Sequence, residues 1–210
     1  MSWRWRLAVW VLRPVFRGLF GYRAYGVHHL PSRGAVLLAS NHYTNLDPVL
    51  VALPMNRDTW FFASEGLFHH PRWGAFLRWL ITTYHAIPVD PRRPLTSLKR
   101  ARILLSQGKP MVIFPEGERN FTAEVLLPFQ EGTALLSAWT GVPVVPVYIH
   151  RGVQQGWRAW MFRRAPLRVY YGPPLSPPAS TERKVLQAWT QMLDQEVRRL
   201  AEEALASTRG

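Results

Sequence analysis

Two short polar stretches interrupt apolar runs in this chain: Ser40–Pro48, S-N-H-Y-T-N-L-D-P, and Pro115–Asn120, P-E-G-E-R-N. The first holds His42 and Asp47, the second Glu116, Gly117 and Arg119. Histidine changes charge near neutrality, so a ring bonded to a carboxylate through one nitrogen can take a proton from an alcohol through the other. Asp47 stands five places after His42, and a straight helix would turn the two roughly 140° apart at 3.6 residues per turn. The segment must therefore bend for them to meet, and Asn41, Asn45 and Pro48 are residues that favour such a bend. The chain has no cysteine, which excludes a thiolate nucleophile, thiolate metal sites and disulfides.

Both polar stretches follow runs too short and too apolar for surface helices. Ala35–Ala39 and Met111–Phe114 are predicted as buried strands, with Thr59–Ala63, Tyr84–Val89, Val142–Ile149 and Leu167–Tyr171 as further ones. Pro143 and Pro146 predict an edge or irregular position for the fifth of these in chain order, because proline cannot donate to a ladder. Helices are expected over Val49–Pro54, Leu95–Gln107 and Thr133–Thr140. A long one is expected after Thr181, its Leu186, Trp189, Leu193, Val197, Leu200 and Ala204 recurring at three and four. Gly21–Gly34 reads as a connection into the first strand, and Gly172–Ala179, with four prolines, as a linker. Strands alternating with helices predict an α/β fold with a mostly parallel or mixed central sheet flanked by helices. The expected organisation is an N-terminal membrane-interface helical segment at 1–30, an α/β domain at 31–172, and a linker with a C-terminal helix packed on that domain at 173–210. In open sheets of this kind, side chains from successive loops converge at the carboxyl ends of strands, where both polar stretches fall.

Formal charge is +13, carried almost wholly by arginine. Nucleic acid and anionic lipid both fit that charge, but ten tryptophans and a 48% hydrophobic fraction favour a bilayer interface. No run approaches the roughly 20 apolar residues of a spanning helix. Trp3, Trp5, Trp10, Phe16 and Phe20 interleave with Arg4, Arg6, Arg13 and Arg17, a pattern for a segment lying among lipid headgroups. The same pattern fits a helix packed on its own domain. The large apolar residues of Leu67–Leu80 predict a core helix, the wall of an acyl-chain groove or a segment inserted in lipid, and Trp157–Arg164 is a second cluster of aromatics and arginines.

Taken together, N-H-Y-T-N-L-D and F-P-E-G-E-R-N resemble the first and third motifs of the glycerolipid acyltransferase family, which includes the 1-acylglycerol-3-phosphate acyltransferases. The first motif, N-H-x4-D, is matched at Asn41, His42 and Asp47, and the third, F-P-E-G-T-R-S, at Phe114, Pro115, Glu116, Gly117 and Arg119. Tyr84–Arg92 is similar to the second motif and Val142–Val147 to the fourth. The resemblance implies an O-acyltransferase with His42 as base and Asp47 fixing its tautomer. A lysophospholipid hydroxyl would attack the thioester of acyl-CoA or an acyl carrier protein directly, with no cofactor. It implies substrate binding by Asn41, Arg92, Glu116, Gly117 and Arg119, Arg119 holding a phosphate and the amides beside Gly117 facing the oxyanion. The implied acceptor is 1-acylglycerol-3-phosphate, in phospholipid biosynthesis, on a protein held peripherally at the cytoplasmic face of the cell membrane and having no nucleic-acid partner. The alternatives are another lysolipid or glycolipid acceptor, a transacylase, and a non-catalytic basic protein that binds lipid or nucleic acid.

Several positions depart from the pattern. Glu118 stands where Thr is usual and Asn120 where Ser is usual; His85 replaces the second motif's Gly; Pro91 replaces its Arg, with Arg92 one place late; and Gln130 replaces a frequent Lys. Three of these changes weaken or shift positive charge where a phosphate would sit.

Overall fold

Apolar runs become strands and periodic stretches become helices in a computed structural model that describes residues 3–64, 85–89, 94–122, 124–151 and 167–209. In chain order the elements are α1 (Trp3–Phe20), β1 (Arg23–Tyr25), a 3-10 turn at Val27–His29, β2 (Leu37–Ser40), α2 (Asp47–Ala52), β3 (Trp60–Ser64), β4 (Ala86–Val89), α3 (Pro94–Ser106), β5 (Met111–Ile113), α4 (Gly132–Thr140), β6 (Val144–Arg151), β7 (Leu167–Tyr171) and α5 (Arg183–Arg209). The stretches 67–80 and 157–164, together with Arg92, lie outside the described residues.

The strands form one sheet in the order β1-β7-β6-β2-β5-β3-β4. From β6 to β4 all pairings are parallel, while β7 lies antiparallel to β6 and carries β1 parallel to itself. Side chains alternate between two helical layers. Leu38, Val112 and Val145 face the layer of α1 and α2, whereas Leu37, Met111 and Val144 face that of α3, α4 and α5. Burial on both faces is why the parallel strands read as unbroken apolar runs. The stripe of α5 is buried at Leu186, Trp189, Leu193, Val197, Leu200 and Ala204, as its spacing requires. Gly108 and Gly141, both at positive φ, close α3 and α4.

Four local expectations are corrected. The connection at 21–34 contains β1, paired with β7 through Arg23, Ala24 and Tyr25, a strand too short and too polar to form an apolar run. The strand carrying Pro146 is central, between β7 and β2, and not at an edge. Its proline is tolerated because the β6–β7 ladder begins one residue later, at Val147 opposite Tyr171, and the Pro146 carbonyl accepts the Gly172 N–H at 2.9 Å. The proline-rich stretch 172–179 is pinned to the sheet by reciprocal backbone bonds between Val144 and Leu175, 3.0 and 2.7 Å. Ser180, not Thr181, supplies the hydroxyl at the entrance to α5, accepting the N–H of Glu182, one residue before the helix begins, at 3.3 Å.

One face of α1 packs as a core helix, with Trp5, Val9 and Phe16 buried against the sheet. Its opposite face presents Trp3, Leu7 and Trp10, all exposed. Among the described residues no helix is long and apolar enough to cross a membrane.

Candidate active site

β2 lies between β6 and β5 and stops at Ser40, two residues before His42. Asn41 extends the pairing by side chain: its Nδ2 donates to the Ile149 carbonyl at 3.1 Å and its Oδ1 accepts the Ile149 N–H at 2.7 Å. Fully buried, the amide stands in for one more rung of the β2–β6 ladder and fixes the direction in which the chain leaves the sheet. It therefore faces β6 and not the surface where a substrate would lie.

The bend required between His42 and Asp47 is a polar turn that ends as Asp47 opens α2. Asp47 is wholly buried, and four donors compensate the burial of its charge. Its Oδ2 lies 3.0 Å from His42 Nδ1 and accepts the N–H groups of Tyr43 and Thr44, at 2.5 and 2.6 Å. Its Oδ1 accepts the Thr44 hydroxyl at 2.7 Å. The carboxylate thus fixes both the loop and the imidazole, and a donor at Nδ1 leaves Nε2 as the nitrogen with a free lone pair. Phe114 stacks on the ring at 4.0 Å and 17°, and the His42 side chain keeps 17% of its surface exposed. An oriented, partly shielded ring with one open edge is suited to taking a proton from a bound hydroxyl.

Glu116 leaves β5 pointing inward, 2% exposed. Its Oε1 accepts the His42 N–H at 2.8 Å and its Oε2 the Leu127 N–H at 3.1 Å. Burial pushes its pKa up to about 6, against the pull of those two amides towards the charged form. The sequence pointed to acceptor binding at this position; the geometry makes the carboxylate a brace between the two polar stretches. Asn120 completes that brace by donating its N–H to the His42 carbonyl at 2.7 Å.

Gly117 has φ 77° and donates its N–H to the Phe114 carbonyl at 3.1 Å. A Cβ at that position would displace the end of the Gln130 side chain, which reaches the Glu116 carbonyl at 3.3 Å, and it is the left-handed backbone that calls for glycine. Arg119 is exposed, its guanidinium 5.0 Å over the Phe121 ring. At the other end of the sheet His85 has φ 55°, the left-handed region that glycine favours, and stacks on Trp60 at 4.6 Å. The structure thus brings together His42, Asp47, Asn41, Glu116 and Gly117 with Arg119 close by. Tyr43, Thr44, Phe114 and Asn120 also touch the pair or its loop; the first two occupy positions that the motif leaves open, so spacing alone did not mark them.

Residues 22–150 match the family model described as Acyltransferase. The chain belongs to the acyltransferase family. Among the relatives of this chain is the chloroplastic 1-acyl-sn-glycerol-3-phosphate acyltransferase BAT2 of Brassica napus, 33% identical over 126 residues, which are 58% of this chain and 35% of that protein. The 1-acyl-sn-glycerol-3-phosphate acyltransferase of Helicobacter pylori is 27% identical over 138 residues, 65% of this chain and 55% of the relative. The chain thus spans about a third to a half of the length of the curated relatives it matches. The crystal structure of the 1-acyl-sn-glycerophosphate (LPA) acyltransferase PlsC from Thermotoga maritima shares the fold, with a TM-score of 0.68 at 24% identity over 92% of this chain and 76% of that one.

Proposed function

We propose that this protein is a peripheral membrane O-acyltransferase that moves an acyl group from acyl-CoA or an acyl carrier protein to the free hydroxyl of 1-acylglycerol-3-phosphate. The observation that carries this is the His42–Asp47 pair at the open end of the central strands, in a chain without cysteine. Ser40, the nearest serine in sequence, is fully buried and donates to the Asn41 carbonyl. The acceptor's own hydroxyl takes the nucleophile's place. His42 Nε2 removes its proton as the oxygen attacks the thioester carbonyl; the tetrahedral oxyanion then collapses, and the departing thiolate takes the proton back from the imidazolium. Asp47 holds the ring in position and stabilises its charged form throughout. Gly117's own N–H is already spent on Phe114, so oxyanion donation falls to the amides that follow it, Glu118 and Arg119.

Arg119 is assigned to the acceptor's phosphate, since its planar fork suits a phosphate and its ring platform splints it. The step as written uses donor and acceptor alone. The relatives' names support the acceptor, and the exposed tryptophan face of α1 with the arginines beside it supports a lipid surface as partner. A second lysolipid acceptor is favoured by one observation: Gln130 brings a neutral amide to the Gly117 turn. Incubation with labelled acyl-CoA and a panel of lysolipids decides between them. Transfer to 1-acylglycerol-3-phosphate at least about tenfold faster than to neutral or choline-bearing lysolipids is the expected result, equivalent to about 1.4 kcal/mol of headgroup recognition. Equal rates across the panel would remove the phosphate assignment.

A further inference from the structure

The residue after the catalytic histidine does two jobs with two different groups. The Tyr43 N–H donates to Asp47, whereas its hydroxyl reaches across to donate to the Val125 carbonyl at 3.0 Å. A third segment approaches through Tyr148 of β6, a side chain only 5% exposed, whose hydroxyl lies against that of Tyr43. The Tyr43 proton is committed to the Val125 carbonyl, which can only accept, so towards Tyr148 the Tyr43 oxygen is an acceptor and Tyr148 the donor. This chain of donors runs beside the brace already described, in which Glu116 holds the His42 and Leu127 amides. The two differ in kind. Glu116 fixes the backbone at the base of the loops, while the Tyr43 hydroxyl holds their exposed rim, where Val125 is 41% and Phe121 77% exposed.

That rim bears on the acceptor. Asn120 Nδ2 donates to the Glu124 carbonyl at 2.9 Å, and its Oδ1 accepts from the Thr122 amide and hydroxyl, so Val125 is tied back through one buried side chain to the turn that carries Arg119 and Phe121. A lysolipid must present its hydroxyl to His42 while its phosphate meets Arg119, so a rim held at fixed distance preorganises the second contact without altering the first.

We propose that Tyr43, with Tyr148 behind it, is a positioning residue that latches the rim to the His42 loop and thereby sets the affinity for the phosphate-bearing acceptor. The inference rests on the assignment of Arg119 to the acceptor phosphate. In steady-state assays Tyr43→Phe is expected to raise the acceptor KM about five- to tenfold, the order of one lost hydrogen bond, with kcat and the acyl-CoA KM within about twofold of the parent. Tyr148→Phe leaves the Tyr43–Val125 bond in place and should shift the acceptor KM in the same direction by less, and the double variant should match Tyr43→Phe, because Tyr148 acts only through the Tyr43 hydroxyl. Should Tyr43→Phe fail to fold, as judged by far-UV circular dichroism, Tyr148→Phe carries the test. An unchanged acceptor KM, a fall confined to kcat, or effects that multiply in the double variant would overturn the latch. Arg119→Gln, assayed alongside, separates the two layers. No rise in acceptor KM there overturns the phosphate assignment and the latch with it, while a rise there and none in Tyr43→Phe overturns the latch alone.

Discussion

In the proposed mechanism, proton abstraction by His42 rests on groups that are turned into the protein. Asp47 aligns the ring, but it does so from a buried position made tolerable by three donors from Tyr43 and Thr44. Glu116 works in the same way from the other side, and its burial has a measurable consequence. With its pKa raised from 4.5 to about 6 in the folded chain, the folded state holds that proton more tightly than the unfolded state does. This component of stability is therefore present in acid and is lost as pH rises through about 6, by at most about 2 kcal/mol. Thermal melts of the parent between about pH 4 and pH 7 should show this downward component, and Glu116→Gln should lack it. Identical slopes for the two proteins would show that the carboxyl does not titrate in its buried place. Sequence reasoning marked Asn41 and Glu116 as polar groups at strand ends, but types and spacing do not say which way a side chain turns. Both turn inward, towards the Ile149 and Leu127 backbones.

At the scale of elements, most strands were legible because strands buried on both faces must be short, apolar and bounded by turn formers. Boundaries differ by a residue or two, as where Ala35–Ala39 becomes Leu37–Ser40. What was missed follows from the same physics. β1 has no apolar run to read, and Pro146 of β6 counts against a central strand only if its missing donor falls inside a ladder, which depends on the neighbour's register. The stripe of α5 was clear, since six residues at helical spacing leave little else to do but pack. Its core position Leu193, 0% exposed, provides the check. Leu193→Ala should cost about 2–5 kcal/mol in urea unfolding, the usual range for a buried leucine, while leaving KM for both substrates unchanged well below the melting temperature. A loss below about 1 kcal/mol would mean that α5 is not a core helix.

For the whole molecule, the sheet gathers the chemistry at one end while α1 crosses one face and shows the solvent tryptophan and leucine beside arginine. The charge of +13 and the exposed Trp3 and Trp10 support a headgroup surface as the partner of that face. Flotation with vesicles of mixed phosphatidylglycerol and phosphatidylcholine should capture the parent, less completely as salt is raised. Trp3→Gln/Trp10→Gln should weaken partitioning by about tenfold or more without loss of helix content. Undiminished binding would place the lipid contact elsewhere. The measurement that bears most directly on the whole scheme is the initial rate of labelled acyl transfer by His42→Ala, with its far-UV spectrum and melting temperature recorded on the same preparation. We expect a folded protein whose rate has fallen at least about a thousandfold. A folded His42→Ala that retains a tenth or more of the parent rate, on the order of 1.4 kcal/mol or less in the barrier, would show that another group takes the proton.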